Sequence, residues 1–167
     1  ELLSCGADKI SINSAAVYNP QIIKHSSDKF GNQCVVLAID AIENKFMPSG
    51  YEVTTHGGRK KTNIDVLNWV KLGVENGAGE ILLTSMTADG MKTGYNLNLT
   101  KLVSENVTVP VIASGGAGSP KDMVEVVLKS GASAVLAASI FHFGIHSILS
   151  VKKEMFKNGI HVRDCEN

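Results

Sequence analysis

PVIASGGAGS, residues 110–119, is the stretch that decides how this chain is read. Its apolar run Val111, Ile112, Ala113 stops in Ser114, Gly115, Gly116, Ala117 and Gly118, and a helical pattern follows. A strand ending in glycines lets backbone N–H groups approach an anion closely, because no Cβ intervenes. A second apolar run, at 134–138, ends in the equally small Ala138 and Ser139. Two neighbouring strand ends of this kind have the sequence form of a phosphate site made by the last two strands of a (β/α) barrel. Glycine-rich turns also serve tight packing between strand and helix, so the turn carries a packing reading beside the anion one.

Working outward, the tripeptides Cys5-Gly6-Ala7, Asn76-Gly77-Ala78 and Ser130-Gly131-Ala132 each precede an apolar run by two residues. Glycine there supplies the left-handed residue that ends a helix, after which the chain turns into a strand. The repetition predicts successive βα units. Strands are expected at 9–12, 35–39, 80–84, 109–113 and 134–138, each apolar on consecutive positions, as parallel strands covered on both faces are. Helical patterns fill 20–30, 63–76, 98–106 and 120–130, with a closing helix at 147–158. Thr62 or Asn63 is the expected cap of the second, and Ser119-Pro120 opens the fourth. Residues 45–61 are long, polar and glycine-rich, which fits a loop or small hairpin over the strand ends.

The 167 residues suffice for one domain with a sizeable core, and nothing in the composition divides them. Sixteen basic and sixteen acidic residues give zero formal net charge, which offers no support for a nucleic-acid or membrane partner. No apolar run approaches the roughly 20 residues of a membrane span. Three scattered cysteines (Cys5, Cys34, Cys165) lack metal-ligand spacing and read as reduced thiols of a cytosolic protein. An eight-unit barrel typically takes about 250 residues. Five units are therefore either an open sheet or a partial barrel. Because the chain starts at Glu1 in what reads as a helix end, any missing units are expected before it.

Every expected strand ends in polar or small residues on its C-terminal side: Asn13-Ser14, Asp40, Thr84-Ser85, Ser114 with its glycines, and Ser139. Ligands bind on that side in α/β sheets and barrels. Asp40 ends an apolar run, so its carboxylate would face the mouth, where partial burial moves it towards general acid–base use; the competing reading is a turn cap. Asp89-Gly90 lies in a loop that could fold over the mouth, or is an ordinary Asp-Gly turn. Arg59, Lys60 and Lys61 could meet an anionic substrate or be a solvated basic loop. His56 could reach the mouth from beside Gly57-Gly58, whereas His142, His146 and His161 lack acidic partners at useful spacing.

Five motifs in order now carry a resemblance: GADKISINSAAV at 6–17, AIDA at 38–41, GAGEILLTSMTADGMKTGY at 77–95, VIASGGAG at 111–118 and AVLAASIFHF at 134–143. Together they resemble the cyclase subunits of imidazole glycerol phosphate synthase, (β/α)8 TIM barrels of histidine biosynthesis, over strands four to eight. The resemblance implies a single partial-barrel domain, with three βα units missing at its N-terminal side and poor activity in isolation. It implies no cofactor and no metal. The implied reaction takes ammonia from a partner glutaminase and a bis-phosphorylated ribulosyl aminoimidazole carboxamide ribonucleotide. It yields imidazole glycerol phosphate and aminoimidazole carboxamide ribotide.

By the same resemblance, Asp40 matches one of two acid–base aspartates. Gly116, Ala117, Ala138 and Ser139, with Asp89 and Gly90 beside them, match one phosphate grip; Asn13 and Ser14 match part of the opposite one. Thr84 and Ser114 match substrate-positioning residues of the mouth. Lys9 and Glu80 match two members of a charged ring gating ammonia, and Asp8 matches a contact with the glutaminase. Thr87 and Met91 depart from the Asp and Thr of the family's sixth loop, and residues 42–53 are longer than its pattern. The sister isomerase of the pathway shares the barrel, both grips and an Asp ending strand five. RKKT at 59–62, ILLTSM at 81–86 and SIFHF at 139–143 resemble the cyclase more closely. A non-catalytic phosphate-binding half-barrel is the remaining alternative.

Overall fold

A computed structural model describes residues 2–163; Cys165 lies outside them, and Cys5 and Cys34 are free thiols. A 3-10 turn (Leu3–Cys5) leads into β1 (Ile10–Ile12), α1 (Ser14–Tyr18) and α2 (Gln21–Phe30). Next come β2 (Val35–Glu43), β3 (Tyr51–Thr55), β4 (Lys60–Asp65) and α3 (Val66–Glu75). Then follow β5 (Glu80–Ser85), α4 (Leu97–Ser104), β6 (Val111–Ser114) and α5 (Pro120–Ser130). The chain ends in β7 (Ala134–Val135), α6 (Ser139–His142) and α7 (Ile148–Lys157).

Gly6, Gly77 and Gly131 all have positive φ, at 99°, 96° and 69°, so each Gly-Ala join turns as the sequence predicts. The joins set strands β1, β2, β5, β6 and β7 side by side, all parallel, in the order in which they occur in the chain. A doubly wound sheet reverses its order at a switch point; an order that never reverses is compatible with part of a barrel wall. The wall is not closed.

One face of this wall is covered. Leu37, Ile39, Ile81, Leu83, Val111 and Ala113 are buried, mostly in one cluster with Ile23 of α2, Trp69 of α3 and Leu99 of α4. The alternate positions point the other way: Ala38, Leu82 and Ile112 are half-buried, and Leu136 is 42% exposed. Registers Asp40↔Thr84 and Thr84↔Ser114 put those three polar side chains in one row at the C-terminal end of this open face.

Where a loop or small hairpin was expected over 45–61, the structure has a hairpin, β3 and β4, that runs on to Asp65 and reshapes its surroundings. β2 runs on to Glu43, past the expected end at 39, because Asp40 to Glu43 pair antiparallel with Thr54 to Tyr51. β1 occupies the lower part of the same β2 edge (Ile10↔Val35 to Ile12↔Leu37) and gives way to the hairpin above it. The helix expected from residue 63 begins at Val66, since Lys60–Asp65 is strand. Its cap is therefore Asp65, not Thr62 or Asn63: Oδ1 accepts from Asn68 N–H (3.1 Å), while Oδ2 accepts from Ser49 N–H (2.7 Å). Asp65→Ala is expected to cost about 1–2 kcal/mol in urea unfolding, since a cap and a loop tie are lost together. The expected opening of α5 is present as a capping box, Ser119 with Asp122. The last expected strand shrinks to Ala134–Val135, because β7 pairs with β6 alone and the chain bends into α6 at Ala138.

Candidate functional site

Strand ends, a glycine turn and one loop build a cavity of about 250 Å³ at the C-terminal rim of the sheet. Of the sequence-predicted residues, Asp89, Gly90, Ser114, Gly116, Ala117, Ala138 and Ser139 all line it. Gly115 of the same glycine turn lines it too, as do Lys92, Leu136 and Ala137, which sequence reasoning had not singled out as site residues. Lys92 is the informative omission. It lies between Gly90 and Gly94 with φ of 56°, and its ammonium stands 6.0 Å from the Phe143 ring centroid. The cations considered from sequence, Arg59, Lys60 and Lys61, do not line the cavity.

Among the described residues, no acceptor meets the N–H groups of Gly116, Ala117, Ala138 or Ser139. The neighbouring Gly118 and Ser119 N–H groups are spent on Asp122 Oδ2 (2.9 and 2.8 Å). Four free donors from two adjacent strand ends, with a lysine on the wall, can hold an oxyanion without a metal. The packing reading of the turn is also correct. A Cβ on Gly116 would stand 2.1 Å from Gly94 O, and one on Gly118 2.3 Å from Lys92 O. The absence of a Cβ at both glycines lets the 85–95 loop lie against the turn.

Asp40 sits in the polar row with Thr84 and Ser114, half-buried. Burial pushes its carboxyl above the ordinary carboxylate range, the Asp89 charge adds to this, and a hydrogen bond from the Asn13 side chain opposes it. Asn13 stands beside Asp40 because β1 leaves the β2 edge at Ile12, level with Leu37. The hairpin takes the next place on that edge, where Thr54 Oγ1 donates to Asp40 O (3.0 Å). Ser14 opens α1, and its Oγ accepts from His56 N–H (3.4 Å). His56 thus meets α1, where its ring packs edge-on against Tyr18 at 6.4 Å; Lys60 lies over the same tyrosine.

At the opposite end of the wall, Lys9 and Glu80 form an ion pair, with Asp8 exposed beside it. The mouth and the ion pair thus lie at the two ends of the same strands. Among the described residues no group of His, Cys, Asp and Glu could hold a metal ion, and no helix is long and apolar enough to cross a membrane.

Residues 1–147 match the family described as histidine biosynthesis protein. The chain belongs to that family. Its members are enzymes and include both the ammonia-dependent cyclase and the sister isomerase. The match spans all five parallel strands, both ends of the wall and every residue of the cavity lining.

Proposed function

We propose that this chain is the cyclase type of the family. It would use ammonia from a glutaminase partner to convert a bis-phosphorylated ribulosyl aminoimidazole carboxamide ribonucleotide into imidazole glycerol phosphate and aminoimidazole carboxamide ribotide, in the cytoplasm. The observation that carries the reading is the row Asp40, Thr84, Ser114, flanked on one side by the four-donor cavity and on the other by Asn13 and Ser14. From β1 to β7 is four strand spacings, roughly 19 Å along the curved sheet. Anion sites that far apart suit an elongated substrate with a phosphate at each end. Asp40 lies between them, where a carboxyl raised by burial can exchange a proton with the reacting centre.

In this proposal Gly116, Ala117, Ala138 and Ser139 grip one phosphate, with Asp89, Gly90 and Lys92 beside them, and Asn13 and Ser14 contribute to the other grip. Thr84 and Ser114 position the ribulosyl chain. Lys9 and Glu80 gate ammonia where the strands begin, and Asp8 meets the glutaminase. The cyclase is favoured over the isomerase by RKKT at 59–62, ILLTSM at 81–86 and SIFHF at 139–143.

Product analysis tests the choice, using the chain in a barrel completed by three further βα units and supplied with ammonium salt. Imidazole glycerol phosphate is expected. Isomerisation independent of ammonia, with no such product, would replace the cyclase by its sister. In the same assay Asp40→Asn should lower turnover at least about 10²-fold, the lower range for general acid–base groups. Its thermal midpoint at neutral pH should rise, because a carboxylate whose pKa is raised by folding opposes folding once ionised.

A further inference from the structure

Gly94 and Tyr95 are consecutive residues that hold the two halves of the cavity. Gly94 N–H donates to Gly116 O (2.9 Å) on the glycine turn. Tyr95 Oη donates to Leu136 O (3.0 Å) on the strand end opposite. The Tyr95 ring is 7% exposed and packs in a cluster with Ala113, Ala117 and Ile140. Packing alone would be served equally by phenylalanine. The hydroxyl is explained by what it reaches. β7 has one partner strand, and its last sheet bond is Leu136 N–H to Ala113 O (2.9 Å). Two residues later, Ala138 presents an N–H without an acceptor among the described residues.

We propose that Tyr95 is a positioning residue of the cavity. Its hydroxyl anchors Leu136 O and so fixes the Ala138 and Ser139 N–H groups at the spacing from those of Gly116 and Ala117 that a phosphate group requires. The inference rests on the reading of the cavity as a phosphate grip. Without the bond, the Leu136 N–H is the last tie between the β7 end and the sheet before the chain turns into α6, and the two donors lose part of their fixed aim. The donors of the glycine turn stay in place through Gly94.

The test is titration of the folded protein with inorganic phosphate, followed by amide NMR, for the wild type, Tyr95→Phe and Asp65→Ala. In the wild type, phosphate should shift the amides of Gly116, Ala117, Ala138 and Ser139 together. Tyr95→Phe should bind about three- to tenfold more weakly, the range for one hydrogen bond, with the loss of shift concentrated at Ala138 and Ser139. Asp65→Ala removes the cap of a helix away from the cavity and should lower the thermal midpoint while leaving phosphate affinity unchanged. A Tyr95→Phe protein that binds phosphate as tightly as the wild type overturns the inference and leaves the grip standing. Equal weakening in Tyr95→Phe and Asp65→Ala reduces the hydroxyl to a stabilising role and also overturns it. A wild type whose four amides ignore phosphate overturns the grip itself.

Discussion

Gly116→Ala is expected to lower unfolding stability by about 2–4 kcal/mol and to abolish phosphate-dependent shifts at the cavity. Gly116 has φ of 104°, a conformation that a Cβ penalises by roughly 1–2 kcal/mol. The added methyl would also meet Gly94 O at 2.1 Å, and a backbone carbonyl cannot swing aside as the tip of a side chain can. Relief requires the turn and the 85–95 loop to separate, which breaks the Gly94 N–H to Gly116 O bond. Gly90→Ala supplies the control. Gly90 also has positive φ, at 76°, but an added Cβ meets nothing within 4 Å. It should lose only the conformational part, about 1 kcal/mol. Urea midpoints of the two variants separate close approach from backbone strain, and equal losses would mean that the contact with Gly94 is unimportant.

The second large effect concerns a residue that sequence reasoning passed over. Glu52 is fully buried in β3, yet it is charged. Burial alone would raise its carboxyl. The Asn63 N–H, the Asn44 amide, the Lys61 charge and the Thr62 N–H outweigh that and hold it below the ordinary range. Oε1 accepts from Asn63 N–H at 2.9 Å and Thr62 N–H at 3.1 Å, and Oε2 accepts from Asn44 Nδ2 at 2.7 Å. The carboxylate thereby holds the irregular start of the β3–β4 pairing, where Asn63 takes φ of 59°. Glu52→Ala removes the carboxylate that two part-buried backbone donors share and should cost about 3–5 kcal/mol, at about 1.5–3 for each hydrogen bond to a charged group.

Glu52→Gln keeps an acceptor and should cost less, but it changes the pH response. A carboxyl whose folded pKa is depressed contributes stability that is present above its unfolded pKa, near 4.5. That stability is lost as pH falls through the lower folded value. Asp65 is held down in the same direction: the Ser49, Asn68 and Leu67 hydrogen bonds outweigh the upward push of burial. Wild-type stability should therefore decline on acidification below about pH 4.5. The gap between wild type and Glu52→Gln should narrow over the same window, and a constant gap would place the acid sensitivity elsewhere.

Much of the fold was legible for a local reason. A glycine that ends a helix and an apolar run that follows it are properties of neighbours in sequence, and Gly6, Gly77 and Gly131 turn as their neighbours require. The cavity was legible for the same reason, since small residues at two strand ends mark where backbone donors can be bare. The hairpin was only half legible. Nothing local tells that Asp40 to Glu43 continue as strand, because their partners, Tyr51 to Thr54, depend on how β1 leaves the shared edge. Nor does a pattern announce Glu52, a charged residue in a strand whose three donors come from two other segments.

By itself, then, the sequence determined the repeated βα units, the polar row of strand ends and the family to which they belong. These rest on residue types at short, fixed spacings. Only the tertiary structure decided which side chains act across those units. It set Asn13 against Asp40, brought Lys92 rather than the 59–61 cations to the cavity, and joined Tyr95 to Leu136 across 41 residues. Such contacts depend on the order and register of strands, and a one-residue change in register turns every side chain to the other face of the sheet.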